Sequence, residues 1–370
     1  MIYHKDMSNN NNLRRHVMKT KLLIFSLIFV LLAPFVFTGA KKEAPPPEKE
    51  VIIKEVEKPS PKPIKITWSS ISVPADAHTK AMWVFKHELE KISEGHFDVE
   101  LYTSGQIFTQ EGELAACREG TLDMAYYSAN WLAEFVPYLS MLGAVYTFSS
   151  YEHMDSVLNG PIGKRIYEDV AQKIGVRPLA AYYLGTRQLN LVEKVGPVRH
   201  PDDMKGVKLR TPTSPAWIAL GKALGGNPTP MSFGEVYMGL KTGTIEGQDN
   251  PLPTDKNAKF YEVTKYIVLT DHVVNSVWPT INEKRWQSFS AEEQRQIMRA
   301  IEAGKKACAE QNLKAEAELV DWFKDQGMII IENPDKEAFA EYAKWSYQNE
   351  SKDVSKDWDW DLYDEIQKLK

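Results

Sequence analysis

The stretch IKITWSSISVPADAHTKAMWVFKHELEKISEGHFDVELYTSGQIFTQEGELAACREGTLDMAYYSA, from Ile64 to Ala129, decides the fold. IKITWSSIS reads as a strand that ends in a Ser-rich turn, and Ala81, Val84, Phe85, Leu89 and Ile92 then recur at helical spacing. From His96 to Tyr102 the pattern alternates like a half-buried strand. A loop (TSGQIF), a helix from Glu111 to Glu119 and the strand-like TLDMAYYSA follow. This β-α-β-α-β rhythm predicts an α/β domain of three layers. In such a domain, ligands sit at the carboxyl ends of the strands, where helix N-termini and loops converge.

Downstream the rhythm resumes after Gly185, with strands at Gln188 to Val192, Gly206 to Arg210 and Val263 to Leu269, and helices at Pro215 to Leu224 and Phe233 to Thr242. Two α/β lobes result. Ser290 and Glu293 match a capping box that opens a long amphipathic helix through Ile297, Ile301 and Cys308 towards Trp322. Gly304 lies inside that pattern and argues for an interruption, since an interior Gly costs ~1 kcal/mol against Ala. Gly327 suits the helix end, a further helix starts near Lys336, and a Trp-rich tail (SKDWDWDLYDEI) closes the chain.

Upstream, Arg14, Arg15, Lys19 and Lys21 precede an uncharged apolar run from Leu22 to Phe37 and the small residues Thr38-Gly39-Ala40. That order is a secretory signal with cleavage expected after Ala40, and the run is shorter than the ~20 residues of an ordinary spanning helix. If the signal stays uncleaved, the protein is membrane-anchored. Residues 41–63 are Pro, Glu and Lys with a few Val and Ile, a composition that cannot bury a core and reads as an extended spacer.

A net charge of -5 gives no basis for binding nucleic acid. Cys117 and Cys308 are the only cysteines, too few for a disulfide framework, and their pairing is open. No second Cys lies at metal-ligand spacing from either, so neither a metal site nor a cofactor is expected. G-x-S-x-G, H-E-x-x-H, Walker and G-x-G-x-x-G patterns are absent and the histidines are scattered, so no catalytic residue is assigned. His78 and His272 fall nearest the expected cleft and are read as structural.

Three spaced segments carry a more specific signal: GTRQL (Gly185 to Leu189), DMKGVKLRTP (Asp203 to Pro212) and NPTPMSFGEVYMGLKTGTIEGQDNPL (Asn227 to Leu252). Together with KFYEVTKYIVLTDH (Lys259 to His272), they resemble the solute-binding subunits of tripartite ATP-independent periplasmic (TRAP) transporters, the DctP family. The resemblance implies a two-lobe periplasmic-binding-protein-like α/β fold. Crossing strands and a long helix join its lobes, which close over one ligand. On that reading lobe I comprises residues 64–184 plus about 276–315, and lobe II residues 185–275 plus about 316–370. The implied partners are a small organic acid and the TRAP membrane subunits, and the implied location is periplasmic.

By the KLRTP match, the family's carboxylate-binding arginine falls on Arg210. A guanidinium fork matches both carboxylate oxygens, which a Lys cannot do. A second arginine position falls on Arg187, which could instead brace the cleft wall or pair with an acid. Asn250 matches a position that hydrogen-bonds the ligand, with a turn role as its alternative. Phe233 matches a ring packed on the ligand's carbon skeleton, or is an ordinary core residue. Ser214 either donates to a ligand oxygen or caps the helix at Pro215. Ser69, beside Ser70 at the first strand end, is similarly placed or satisfies a turn.

Members specific for sialic acid carry an acidic and a basic residue where the match places Tyr127 and Asn130. An aromatic, uncharged wall of Tyr127, Asn130 and Trp131 instead suits a sugar acid, a dicarboxylate or a keto or hydroxy acid. The expected function is high-affinity capture of such an acid and its delivery to a transporter. Two alternatives are a ligand sensor docking on a membrane receptor and a hydrolase or lyase that uses the same arginine as a clamp.

Overall fold

The computed structural model describes residues 62–370, and the expected signal sequence and all but the last two residues of the spacer lie outside the described residues. No helix among the described residues is long and apolar enough to cross a membrane. Ten strands form the sheet framework: β1 (Ile64–Ser69), β2 (Phe97–Tyr102), β3 (Met124–Tyr127), β4 (Val176–Pro178), β5 (Tyr182–Leu191), β6 (Lys208–Thr211), β7 (Asn227–Pro230), β8 (Gly247–Pro251), β9 (Tyr266–Asn282) and β10 (Ile329–Ile331). The strand order is β2-β1-β3-β9-β5-β8-β6-β7, with β4 and β10 also pairing with β9.

β1 runs parallel to β2 and β3, and β6 runs parallel to β7 and β8. Each set is thus a small parallel sheet built by helical crossovers, as the sequence rhythm predicts. The helix Ala77–Ile92 crosses from β1 to β2 and buries Ala81, Met82, Phe85 and Leu89 against Ile66 and Trp68. Trp68 meets Phe85 edge to face, with ring centroids 5.1 Å apart.

The strand expected at Val263 to Leu269 is in fact the first part of the 17-residue β9. Its residues 266–277 pair with β5, and residues 278–281 pair with β3, so one strand serves both halves of the molecule. The apolar pattern ends at Leu269 because the continuation TDHVVNSVWPTIN is rich in polar residues and contains Pro279. Thr270, His272, Asn275, Ser276 and Thr280 are nevertheless buried. The expected strand at Gln188 to Val192 likewise begins earlier, at Tyr182. In β5, Gly185 has φ +123°, and a Cβ there would lie 2.6 Å from Pro251 Cβ, so this irregular crossing point tolerates only glycine.

The long helix, Ala291–Asp325, carries the expected capping box at Ser290 and Glu293. It is unbroken at Gly304, contrary to the sequence expectation. The Tyr182 hydroxyl packs where a side chain would stand, 2.5 Å from an added Cβ, and donates to the Ile301 carbonyl at 2.7 Å. Close approach of strand and helix explains the glycine. Cys117 and Cys308 are both buried and free, with no bridge between them, and burial pushes both thiols well up.

The Trp-rich tail also gains a structural role. After the helix Lys336–Asn349 it runs back to residues 140–153, where the Trp358 indole donates to Ser140 Oγ at 2.9 Å. His153 Nε2 meets the Ile366 carbonyl, also at 2.9 Å, and Ile366 is fully buried. The chain end is therefore anchored against residues 140–153.

Candidate functional site

The carboxyl ends of β1, β3, β6 and β8 converge on one cavity, about 800 Å3 with its opening to solvent included, lined among others by Ser70, Tyr127, Ser128, Pro212 and Asn250. This is where parallel α/β sheets place ligands, because side chains and loop amides at those ends face a common crevice. Five of the eight residues expected from sequence line it: Arg210, Arg187, Asn250, Phe233 and Tyr127.

Arg210 sits on β6 and is almost fully buried. Its Nε donates to the Met231 carbonyl at 2.9 Å, while Nη2 has no hydrogen-bond partner. No carboxylate neutralises it among the described residues. Burial, and then the nearby Arg187, push it down to about 9, so it remains a cation at neutral pH. Its guanidinium lies 5.9 Å from the centre of the Phe233 ring, which lines the same cavity.

Arg187, on β5, is as deeply buried but fully engaged. Nε bonds Asp249 Oδ2 at 2.6 Å, Nη1 bonds Asn275 Oδ1 at 3.1 Å, and Nη2 reaches the Asp249 carbonyl. Its planar face lies 4.7 Å over Trp217. Burial alone would raise the Asp249 carboxyl, but Arg187 and His272 outweigh it and hold that group well below the usual carboxylate range. His272 Nε2 approaches Asp249 Oδ2 at 3.1 Å, the structural role expected for it. Arg187 thus lines the cavity and at the same time braces its wall. Asn250 turns its Nδ2 to Gln248 Oε1 and keeps its place in the lining.

Three expectations fail. Asn130 does not reach the cavity: its Nδ2 donates to the Gly143 carbonyl at 3.3 Å, and it is so tightly enclosed that a Cβ on Gly143 would overlap its amide. The chain turns into the short helix Ala129–Leu132 directly after β3, which rotates Asn130 inward and leaves Ser128 and Trp131 on the cavity side. Ser214 neither contacts the cavity nor caps its helix. It donates to the Asn130 carbonyl at 2.9 Å. Ser69 gives its hydroxyl to Glu113 Oε1 at 2.7 Å, and its neighbour Ser70 lines the cavity instead.

Other lining residues were not foreseen: Asp76, Gln110, Glu113, Trp217 and Asn275. Asp249 and Trp217 lie inside or one turn beyond the recognised segments, so a signal for them existed. For Glu113 and Asp76 none did, since each is one acid among many until the fold buries it. His78 also lines the cavity, bonded to Ser72 Oγ at 2.6 Å, and burial pushes it down to about 4, so its ring is neutral.

The cavity mouth is bridged by contacts between segments far apart in sequence. Glu111 Oε1 accepts from Thr213 Oγ1 at 3.2 Å and Ser232 Oγ at 2.9 Å. The Phe233 amide donates to Gln110 Oε1 at 3.3 Å, and Asn257 Nδ2 donates to Asp76 Oδ1 at 2.8 Å. These contacts tie the two sides of the mouth together and narrow it, and a less solvated interior strengthens charge interactions.

Comparison with known proteins agrees with this geometry. Residues 69–353 match the family model described as bacterial extracellular solute-binding protein, family 7. The sialic acid-binding periplasmic protein SiaP of Vibrio cholerae is 34% identical over 70% of this chain and 80% of its own length. The 2,3-diketo-L-gulonate-binding periplasmic protein YiaO of Escherichia coli is 32% identical over 70% of this chain and 77% of its own. A TRAP periplasmic solute-binding protein from Roseobacter denitrificans, solved with bound 3-deoxy-D-manno-oct-2-ulosonic acid, superposes with a TM-score of 0.78. It is 35% identical, with 83% of this chain and 100% of that one covered. A second from the same organism, solved with L-galactonate, has a TM-score of 0.74 at 30% identity, covering 82% and 98%.

Proposed function

The chain belongs to family 7 of the bacterial extracellular solute-binding proteins, and from that premise we propose that it captures a sugar acid, with Arg210 gripping the ligand carboxylate. The observation that carries this reading is a buried guanidinium whose Nη2 has no partner among the described residues, in the wall of the cavity. A buried cation without a counter-ion is costly, and an incoming carboxylate removes that cost through two parallel hydrogen bonds. Arg187 is already neutralised by Asp249, so it orients the wall and adds at most one further donor. Phe233, Trp131 and Tyr127 supply the apolar faces on which a carbon skeleton packs. The site binds and releases; no group in it is poised as a nucleophile with its base, and the chain is a carrier rather than an enzyme.

Export by the N-terminal signal places the protein outside the cytoplasmic membrane. There the closed, loaded lobes are the form that TRAP membrane subunits accept. SiaP, YiaO and the two Roseobacter denitrificans structures carry names or bound ligands that are acidic sugars or sugar-derived acids, which favours that class, while other similar proteins are named for a C4-dicarboxylate or hold pantoate or sn-glycerol-3-phosphate.

Isothermal titration of the purified protein with D-galactonate, D-gluconate, D-galacturonate and sialic acid tests this. At least one should bind, and Arg210→Ala should weaken it more than a hundredfold. That follows from the ~3–5 kcal/mol for stripping one partner from a buried pair, at ~1.4 kcal/mol per decade. An Arg210→Ala protein that folds and binds as tightly as the wild type would overturn the assignment.

A further inference from the structure

Glu113 stands in the cavity wall on the helix Gln110–Glu119, almost fully buried. Its Oε1 accepts the Ser69 hydroxyl at 2.7 Å, and no hydrogen bond engages Oε2 among the described residues. The other carboxylates at the cavity are differently placed: Asp249 is ion-paired to Arg187, and Asp76 is held by the Asn257 amide. The cavity lining contains no lysine, and Arg210 is its one arginine without a carboxylate partner among the described residues. There is thus one unmatched cation for the ligand to neutralise, and two acids besides Asp249.

We propose that Glu113 is a specificity-determining residue of this site, a buried carboxyl whose free oxygen hydrogen-bonds a ligand hydroxyl and turns away a second carboxylate. The cleft then takes a polyhydroxylated monocarboxylate and rejects the dicarboxylate of the same length. This rests on the reading that Arg210 holds the ligand's carboxylate. A second carboxylate would be buried with no cation to meet it, and one donor hydrogen does not offset the desolvation of a full charge.

Burial raises Glu113 to about 8, opposed only by the Ser69 hydroxyl, so at neutral pH it is an uncharged acid that donates its proton to a hydroxyl oxygen. The titratable groups around it are Cys117 on its own helix and Tyr127 on β3, both pushed well up by burial. Across the cavity stand His78, pushed down to about 4, Asp76, raised to about 6, and the two arginines. Between pH 7 and 8.5, Glu113 is therefore the group whose charge changes most. An ionised Glu113 would add a buried negative charge to the cavity that holds the ligand's own carboxylate, so affinity holds below pH 8 and falls as pH rises through it.

The experiment is titration with D-galactonate, D-gluconate and D-galacturonate, and with galactarate, which carries a carboxylate at both ends. Wild type should prefer the tightest monocarboxylate over galactarate by more than tenfold, and its affinity should fall about threefold or more between pH 7 and 8.5. Glu113→Gln, still a neutral donor, should keep the pH 7 affinity within about threefold and flatten that fall. Glu113→Ala should lose about tenfold. Galactarate bound as tightly as the monocarboxylate, or Glu113→Ala and wild type behaving alike across this pH range, would overturn the proposal. If wild type binds none of the monocarboxylates, the ligand reading itself fails and takes this inference with it.

Discussion

The two buried arginines of the cleft make opposite use of the same side chain. Arg187 spends its donors on Asp249 and Asn275 and stacks on Trp217, whereas Arg210 holds one backbone contact and leaves Nη2 unpartnered. The first is part of the wall; the second keeps a donor free, which the proposed ligand carboxylate would engage. A buried charge is therefore informative about function through its missing partner rather than through its burial.

The sharpest way to break that contrast is to unpair Arg187 deliberately. Asp249→Ala should destabilise the ligand-free protein by ~3–5 kcal/mol in urea unfolding, because it strands a buried guanidinium. Arg210→Met, by contrast, should leave the unfolding midpoint of the ligand-free protein unchanged or raised. If both substitutions cost the same, the two arginines are equivalent and the contrast collapses. A smaller effect is expected from the opposite wall: Trp131→Ala should weaken sugar-acid binding about tenfold, or ~1.4 kcal/mol, through lost apolar packing. Titration calorimetry would show it, with circular dichroism confirming the fold. Smallest of all, Asn130→Ala should lower stability by ~1 kcal/mol through its hydrogen bond to Gly143 and leave intrinsic affinity within about threefold. A large loss of affinity would return Asn130 to the cavity.

The ligand-facing elements were legible to different depths. Arg210, Asn250 and Phe233 lie in segments whose spacing is distinctive, and they reach the cavity as expected. On the other wall Tyr127, Trp131 and Ser70 line the site as expected, whereas Asn130 and Ser69 turn away from it and Ser128 lines it unforeseen. The error has a physical source: each misplaced residue sits at a strand end where the chain changes direction, and a one-residue change of period there exchanges the inward and outward faces. β9 was cut short for a related reason, because its second part buries polar side chains in mutual hydrogen bonds that no hydropathy pattern reveals.

Sequence by itself determined the α/β class, the two-lobe plan and the capped long helix, and through the KLRTP resemblance it singled out Arg210 as the proposed carboxylate partner. These rest on local periodicity, capping chemistry and short motifs that need no distant partner. Only the tertiary structure decided that Arg187 is neutralised while Arg210 is not, that Gly304 is demanded by Tyr182, and that Glu113 is buried with a free oxygen at the cavity. Each of those depends on which residues, often scores of positions apart, are brought within a few ångströms, and charge and burial have no meaning for a side chain until its neighbours are known.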